Sequence, residues 1–131
     1  MSPDLKYLLF STILCFVQVL IAAIGANQQV GLPTLAGNRE GLPELGGWAG
    51  RAQRAHRNMI ENLVLFAALV LIAAVSGKAN ATTAMGAMIF FWGRLAYAVI
   101  YLIGIPWLRT LVWFVSVIGM AMIAWVLLQA M

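Results

Sequence analysis

Apolar residues dominate four segments of the chain and leave polar residues between them. The first segment, Tyr7–Ala26, has 20 residues, which is the length that a membrane-spanning helix needs. Ala84–Ile103 and Thr110–Gln129 have the same length. The remaining apolar run, Leu63–Val75, has only 13 residues, so a span there must also include the polar residues from Arg54 onward. The pattern predicts transmembrane helices at about 7–26, 54–75, 84–103 and 110–129.

The connections between these segments differ greatly in length. Residues 27–50 include six glycines and two prolines, which break helices, and the stretch is predicted to be a loop. A loop of this length is typical of either a flexible tether or a lid. The other two connections, 76–83 and 104–109, are short turns. The small residues that end the first segment also allow a cleaved signal peptide, but its apolar run is longer than such peptides carry, so a span is favoured.

Composition supports a membrane protein with a single domain, residues 1–131. Hydrophobic residues make up 63% of the chain and charged residues 9%, against roughly 25% charged residues in soluble domains. We therefore expect an all-α integral membrane protein, a bundle of four transmembrane helices. The net charge of +4 comes from arginines beside the spans, so no nucleic-acid partner is expected.

The distribution of basic residues predicts the orientation of the bundle. One side of the membrane receives five arginines, and the other receives Lys6 and Lys78. Loops rich in arginine stay in the cytoplasm, so both termini are expected outside it. The five arginines are Arg39, Arg51, Arg54, Arg57 and Arg109.

A polar face lies at the start of the second span. On a helix, five side chains there share about a third of the circumference, while His56 points to the opposite side. Arginines at this position could simply extend to the membrane surface. That reading does not explain Glu61, which lies about 10 Å deeper than Arg54. The five side chains are Arg51, Arg54, Arg57, Asn58 and Glu61.

A second polar face lies on the third span, where Arg94, Tyr97 and Tyr101 share one side of the helix. An arginine near the middle of a span indicates a functional site. Arg94 lies about 14 Å below the end of its span, close to the depth of Glu61, so the two charges are expected to pair.

The two polar faces together predict a basic pocket that opens to the cytoplasm. Tyr101 would lie near Arg54 and Asn58, and Arg109 would cap the pocket from the surface. Such a pocket suits a small anion with a carboxylate or thiolate, and a hydrophobic second substrate arriving from the lipid. A single histidine and a single cysteine, far apart, make poor ligands, so no metal site is expected.

Two motifs resemble those of the MAPEG family, the membrane-associated proteins of eicosanoid and glutathione metabolism. They are R-A-x-R-A-H-R-N-x-x-E at Arg51–Glu61 and G-R-x-x-Y-x-x-x-Y at Gly93–Tyr101. The resemblance covers most of the chain and is to a bacterial-type member, which implies the bacterial inner membrane. It also implies a homotrimer that binds glutathione between subunits, on the cytoplasmic side.

The resemblance further implies an enzyme, a membrane glutathione transferase or peroxidase that takes part in detoxification. Glutathione would be the co-substrate, and its thiolate would attack a lipophilic electrophile or a lipid hydroperoxide. By matching positions, Arg109 resembles the thiol-activating arginine, and Thr110 stands where some members carry a helping serine. The glutathione contacts implied are Arg54, Arg57, Asn58, Glu61, Arg94, Tyr97 and Tyr101.

The chain departs from the family pattern in its first span. Eicosanoid members have an arginine there that reaches glutathione, whereas here Gln18, Asn27 and Gln28 are the nearby polar residues. The family also includes a member that binds lipid without glutathione chemistry. The alternative function is therefore a non-catalytic trimeric membrane protein that binds a lipid or forms part of a larger complex.

Overall fold

The structure, a computed structural model, describes all 131 residues and is entirely helical apart from its connections. Four of the five helices are long and apolar enough to cross a membrane, which confirms the predicted fold class. The helices are α1 (Pro3–Val30), α2 (Leu32–Ala36), α3 (Gly47–Ser76), α4 (Ala81–Ile103) and α5 (Pro106–Gln129).

Local sequence signals set the helix ends. α1 begins after Ser2, whose Oγ accepts a hydrogen bond from the Leu5 backbone N–H at 3.4 Å. α4 begins with a reciprocal cap in which the side chains of Asn80 and Thr83 each bind the backbone N–H of the other residue. α4 ends at Ile103, and the φ of 95° at the next residue, Gly104, belongs to the left-handed region that favours glycine.

The connection expected over 27–50 is shorter and more ordered than its sequence predicts. α1 continues to Val30, α3 already begins at Gly47, and the short helix α2 lies between them. The Gln29 side chain closes the connection on Gly46: Nε2 donates to the Gly46 carbonyl at 2.7 Å, and Oε1 accepts from its N–H at 3.1 Å. This amide holds the end of α1 against the start of α3.

The apolar core lies in the half of the bundle where α3 and α5 end. Phe66 of α3 stacks on Phe90 of α4 with ring centroids 3.9 Å apart, and both side chains are fully buried. α4 and α5 approach closely through Gly86 and Gly119, where a Cβ on either glycine would lie 2.5 Å from the carbonyl oxygen of the other. Such close backbone approach requires small residues.

The outer surface of the bundle is apolar. Large side chains such as Phe16, Trp92 and Phe114 are more than half exposed, as expected for helices that face hydrocarbon. Because the helices alternate in direction, the start of α3, the end of α4 and the start of α5 lie at the same end of the bundle. The residues that the sequence singles out lie at that end.

Candidate functional site

Tyr101 joins the three helices at this end. The Arg54 Nε of α3 donates a hydrogen bond to the Tyr101 hydroxyl at 3.3 Å. The guanidinium carbon of Arg109, in the first turn of α5, lies 4.4 Å from the centroid of the Tyr101 ring. Tyr101 itself is buried near the end of α4. The structure thus brings Arg54, Tyr101 and Arg109 together, as the depths of these residues along their helices predict.

Arg94 lies deeper in the bundle, beneath Tyr97. Its guanidinium carbon is 4.2 Å from the centroid of the Tyr97 ring, and the rings of Tyr97 and Tyr101 are 5.5 Å apart. Arg94 is only 1% exposed, yet none of its three guanidinium nitrogens has a hydrogen-bond partner in the protomer. A cation over an aromatic ring gains about 2 kcal/mol when desolvated, less than it costs to bury the charge. Arg94 therefore lacks an acceptor.

The expected ion pair between Glu61 and Arg94 does not form, and that expectation is wrong for the protomer. Glu61 is exposed, and no acceptor lies within hydrogen-bond distance of Arg94. Depth was the basis of the prediction, but helix rotation decides the contact. α3 turns Met59, Asn62 and Phe66 toward the bundle, and Glu61 is off that stripe.

The remaining α3 residues of the predicted site do not join the cluster around Tyr101. Arg57 is exposed, like Glu61, on the outside of the protomer. Asn58 is half-buried, and both its Oδ1 and its backbone carbonyl accept hydrogen bonds from the Asn62 amide, at 3.2 and 2.9 Å. The polar face of α3 is therefore divided: Arg54 contacts Tyr101, while Arg57 and Glu61 face away from the protomer.

Thr110 is also separate from the cluster. Its side chain is exposed, and its Oγ1 donates to the Pro106 carbonyl one turn earlier at 3.4 Å. The bond is local to the first turn of α5 and leaves the hydroxyl at the surface.

Arg51 has a structural contact that the sequence did not predict. Its Nε donates to the backbone carbonyl of Leu102 at 3.0 Å, and its side chain covers Gly104. It thereby satisfies a carbonyl that the end of α4 leaves free. The signal available in the sequence was its place on the polar face with Arg54. Trp113 of α5, which packs against the cluster of Ala55, Tyr97 and Tyr101, carried no sequence signal beyond its apolar character.

The charge in this cluster is positive and has no acidic counterpart. The chain has four acidic residues, of which Asp4 is near the opposite end, Glu40 and Glu44 lie in the exposed connection, and Glu61 points outward. Three arginines, Arg54, Arg94 and Arg109, contact the two tyrosines without a carboxylate. Guanidinium groups present donors that match carboxylates and other anions, so the arrangement can bind an anion.

Comparison with known protein families identifies the family of the chain. The model of the MAPEG family matches residues 7–129, which is nearly the whole chain. The match confirms the resemblance that the two motifs indicate. No curated protein matches the chain.

Proposed function

Because the chain belongs to the MAPEG family, we propose that it is a membrane-bound glutathione transferase or peroxidase. Its reaction would join the glutathione sulfur to a lipophilic electrophile or reduce a lipid hydroperoxide, as in detoxification. Glutathione would bind at the cluster of Arg54, Arg94 and Arg109 around Tyr97 and Tyr101. The hydrophobic substrate would reach the sulfur from the surrounding lipid.

Arg94 is the observation that carries this proposal. A guanidinium that is 1% exposed and has no hydrogen-bond partner is strongly unfavourable inside a membrane helix bundle. A carboxylate from a ligand would supply the missing acceptor. Glutathione has two carboxylates, an ammonium group and a thiol, so its charges match a set of arginines with one accessible glutamate, Glu61.

Arg109 would act on the sulfur. A thiol has a pKa near 8.5 and is mostly protonated at neutral pH, whereas the thiolate is the nucleophile. An arginine cannot lose its proton under these conditions, so it stabilises the thiolate as a fixed positive charge. Arg109 is half-buried beside the Tyr101 ring, in the first turn of α5 and at the end of the bundle. The thiol proton would leave to water first. The thiolate would then bond to the electrophilic carbon as the leaving group departs from that carbon, or take the outer oxygen of a hydroperoxide to give an alcohol and a sulfenic acid, which a second glutathione would convert to the disulfide and water.

The exposed positions of Arg57 and Glu61 support a homotrimer. Both are charged, and both lie on the outside of a membrane-spanning helix, where contact with hydrocarbon is costly. In a trimer, a neighbouring copy would cover Arg57 and Glu61. These two side chains would then lie next to the arginine cluster on α4 and α5 of that neighbouring copy. Each glutathione would then lie between two subunits. Native mass spectrometry in mild detergent tests this, because a monomer as the only species contradicts the shared site.

The arginine-rich end of the bundle is proposed to face the cytoplasm of a bacterial cell, with both termini outside the inner membrane. Single cysteines test the orientation in a chain whose Cys15 has been replaced by serine. A cysteine at Gly41 should react with a label only when the cytoplasm is accessible, and one at Ala79 from the outside. Reaction of Ala79→Cys from the cytoplasm would reverse the orientation.

Glutathione binding by the purified protein in detergent tests the function directly. Calorimetry should show binding, and the ultraviolet band of the thiolate should grow as glutathione is added. The Arg94→Leu variant should lose both signals, whereas Arg39→Leu, at an exposed arginine of the connection, should keep both. Binding without a thiolate band would favour the non-catalytic alternative, and no binding at all would contradict the proposal.

A further inference from the structure

A groove lies between the last turns of α1 and the short helix α2, at the arginine-rich end of the bundle. The α1 residues that line it follow the spacing i, i+3, i+4, i+7, so they form one face of that helix. The groove holds about 530 Å³, within the range of roughly 300–1,000 Å³ for small-molecule sites. Residues that line this α1–α2 groove include Leu20, Ala23, Ile24 and Asn27 of α1 and Leu32 and Leu35 of α2.

The α1–α2 groove changes from apolar to polar toward the end of α1. Leu20 lies within the first predicted span, and Asn27, about 10 Å further along the helix, is the first residue past that span. The side chains of Leu20, Ile24 and Leu32 are 48%, 54% and 68% exposed, so the protomer leaves the groove open. The groove therefore suits a molecule that has an apolar chain and a polar head.

Arg39 is the one charged residue that lines the α1–α2 groove. Its Nε donates to the Leu35 carbonyl at 2.6 Å, which fixes the side chain on the end of α2. That bond uses Nε alone, so the two terminal nitrogens can bind a phosphate through two parallel hydrogen bonds. The φ of Arg39 is 62°, in the left-handed region that glycine adopts without cost and arginine rarely adopts. Strain of this kind indicates a role for the side chain.

No carboxylate of the chain pairs with Arg39. Glu40 and Glu44 lie in the same exposed connection, but neither lines the α1–α2 groove or accepts a hydrogen bond from Arg39. Basic grooves beside membrane helices bind the headgroups of anionic lipids. A free phosphate would match the guanidinium and leave the apolar part of the groove empty, whereas an uncharged lipid would fill the groove and leave the guanidinium without an acceptor.

We propose that the α1–α2 groove binds one anionic phospholipid of the surrounding membrane. The phosphate would accept hydrogen bonds from Arg39, the Asn27 amide would donate to an ester carbonyl, and one acyl chain would lie along Leu20 and Ile24. The bound lipid would hold α2 against α1. It is neither a substrate nor part of the cluster around Tyr101, so the site goes beyond the proposed enzyme function.

Two phospholipids test the proposal on the full-length, delipidated protein in detergent, without glutathione. Dioleoyl phosphatidylglycerol and dioleoyl phosphatidylcholine have the same acyl chains and differ in net charge. Native mass spectrometry measures the affinity for the first lipid bound. Phosphatidylglycerol should bind about fivefold more tightly, the factor that one arginine near the membrane surface provides. Arg39→Leu should bring the two affinities to within about twofold, and thermal unfolding shows whether this variant is folded.

Two further comparisons supply matched controls. Lys78→Leu removes one exposed cation at the opposite end of the bundle and should keep the preference for phosphatidylglycerol. Ala23→Phe fills the α1–α2 groove and should weaken the binding of both lipids at least tenfold. Ala121→Phe makes the same substitution at an exposed alanine of α5 and should leave both affinities unchanged.

Four results would overturn the proposal. They are equal affinity of the wild-type protein for the two lipids, a preference that persists in Arg39→Leu, wild-type affinities in Ala23→Phe, and no bound lipid at all. The last is the outcome expected if a second copy of the chain covers the groove. Millimolar inorganic phosphate should not displace the lipid, and displacement would instead assign the site to a free anion. Glutathione binding is measured separately, so a failure here leaves the proposed enzyme function unaffected.

Discussion

At the end of the bundle where α4 begins, glycines bring α4 and α5 together, whereas at the end where α4 stops, arginines and tyrosines fill the space between three helices. Gly86 and Gly119 touch across the first interface, and Phe66 stacks on Phe90 beside it. At the other end, Arg94 is buried with no hydrogen-bond partner. The apolar end is held by close backbone and ring contacts, although Asp4 and Ser11 of α1 each bury one oxygen without a hydrogen-bond partner there. The polar end differs in burying a whole guanidinium group, whose donors need an acceptor from another molecule.

This difference indicates how the protein divides stability from binding. Backbones in close contact gain dispersion energy along their whole length, and lipid cannot replace that packing. Buried guanidinium groups, by contrast, cost free energy until an anion arrives. Substitutions at the apolar end should therefore lower the free energy of unfolding, and substitutions at the polar end should mainly change ligand binding and chemistry.

The largest expected effect is that of Gly119→Ala. The added Cβ would lie 2.5 Å from the Gly86 carbonyl oxygen and 2.8 Å from the Phe90 backbone nitrogen, so α4 and α5 must separate. We expect a loss of about 3 kcal/mol in the free energy of unfolding, measured by thermal unfolding in detergent. Gly46→Ala is the control, since a Cβ there meets no atom within 4 Å. Equal stability of the two variants would show that the glycine contact does not hold the helices together.

Arg109→Ala should change the chemistry by about as much free energy as Gly119→Ala changes the stability. Its own effect on stability should be small. The variant should bind glutathione with nearly unchanged affinity, because other arginines remain for its carboxylates. It should lose most of the thiolate absorbance and about 100-fold in turnover with an electrophile, the scale on which a group that stabilises developing charge acts. Arg39→Ala, in the connection between α1 and α3, is the control. A full thiolate signal in Arg109→Ala would assign activation to Tyr101 or Thr110.

Arg94→Leu should make the ligand-free protein more stable. The substitution removes a buried charge that has no hydrogen-bond partner, so we expect a gain of at least about 1 kcal/mol, together with loss of the stabilisation that glutathione provides. Glu61 is exposed in the protomer, so the effects of Glu61→Leu and Arg94→Leu on stability should add to within about 0.5 kcal/mol. A double-mutant cycle by thermal unfolding measures this. Additivity is expected because glutathione would lie between Arg94 and the Glu61 of a neighbouring copy, so strong coupling in the ligand-free protein would instead show that these two side chains contact each other directly.

The sequence predicts the spans and part of the site for clear physical reasons. In lipid, backbone groups must bond within their own segment, so apolar runs of about 20 residues translate directly into helices. Distance along a helix is also fixed, which is why Arg54, Tyr101 and Arg109 meet as expected. Rotation about the helix axis is different, because it depends on which residues pack inward. The buried stripe through Met59 and Phe66 turns Glu61 outward, and the local pattern alone did not show this.

The ordered connection between α1 and α3 was not predictable for a related reason. Glycines and prolines over 27–50 favour turns, but they do not show that Gln29 will bind Gly46, which lies 17 residues further along the chain. The Gln29 amide binds both backbone groups of Gly46, a contact that exists only once α1 and α3 are packed. Tertiary contacts of this kind extend helices beyond the limits that their sequences indicate.

Tyr101→Phe should have the smallest effect, and that effect should be confined to the polar end. It removes the hydroxyl that accepts the Arg54 Nε hydrogen bond but keeps the ring beneath the Arg109 guanidinium. The bond is long, at 3.3 Å, so we expect a loss of about 0.5 kcal/mol in stability and a few-fold weaker glutathione binding. Tyr7→Phe, near the opposite end of the bundle, should change neither quantity. Calorimetry on both variants measures the affinity. If Tyr101→Phe binds glutathione like the wild-type protein, Arg54 is positioned by the ligand rather than by Tyr101.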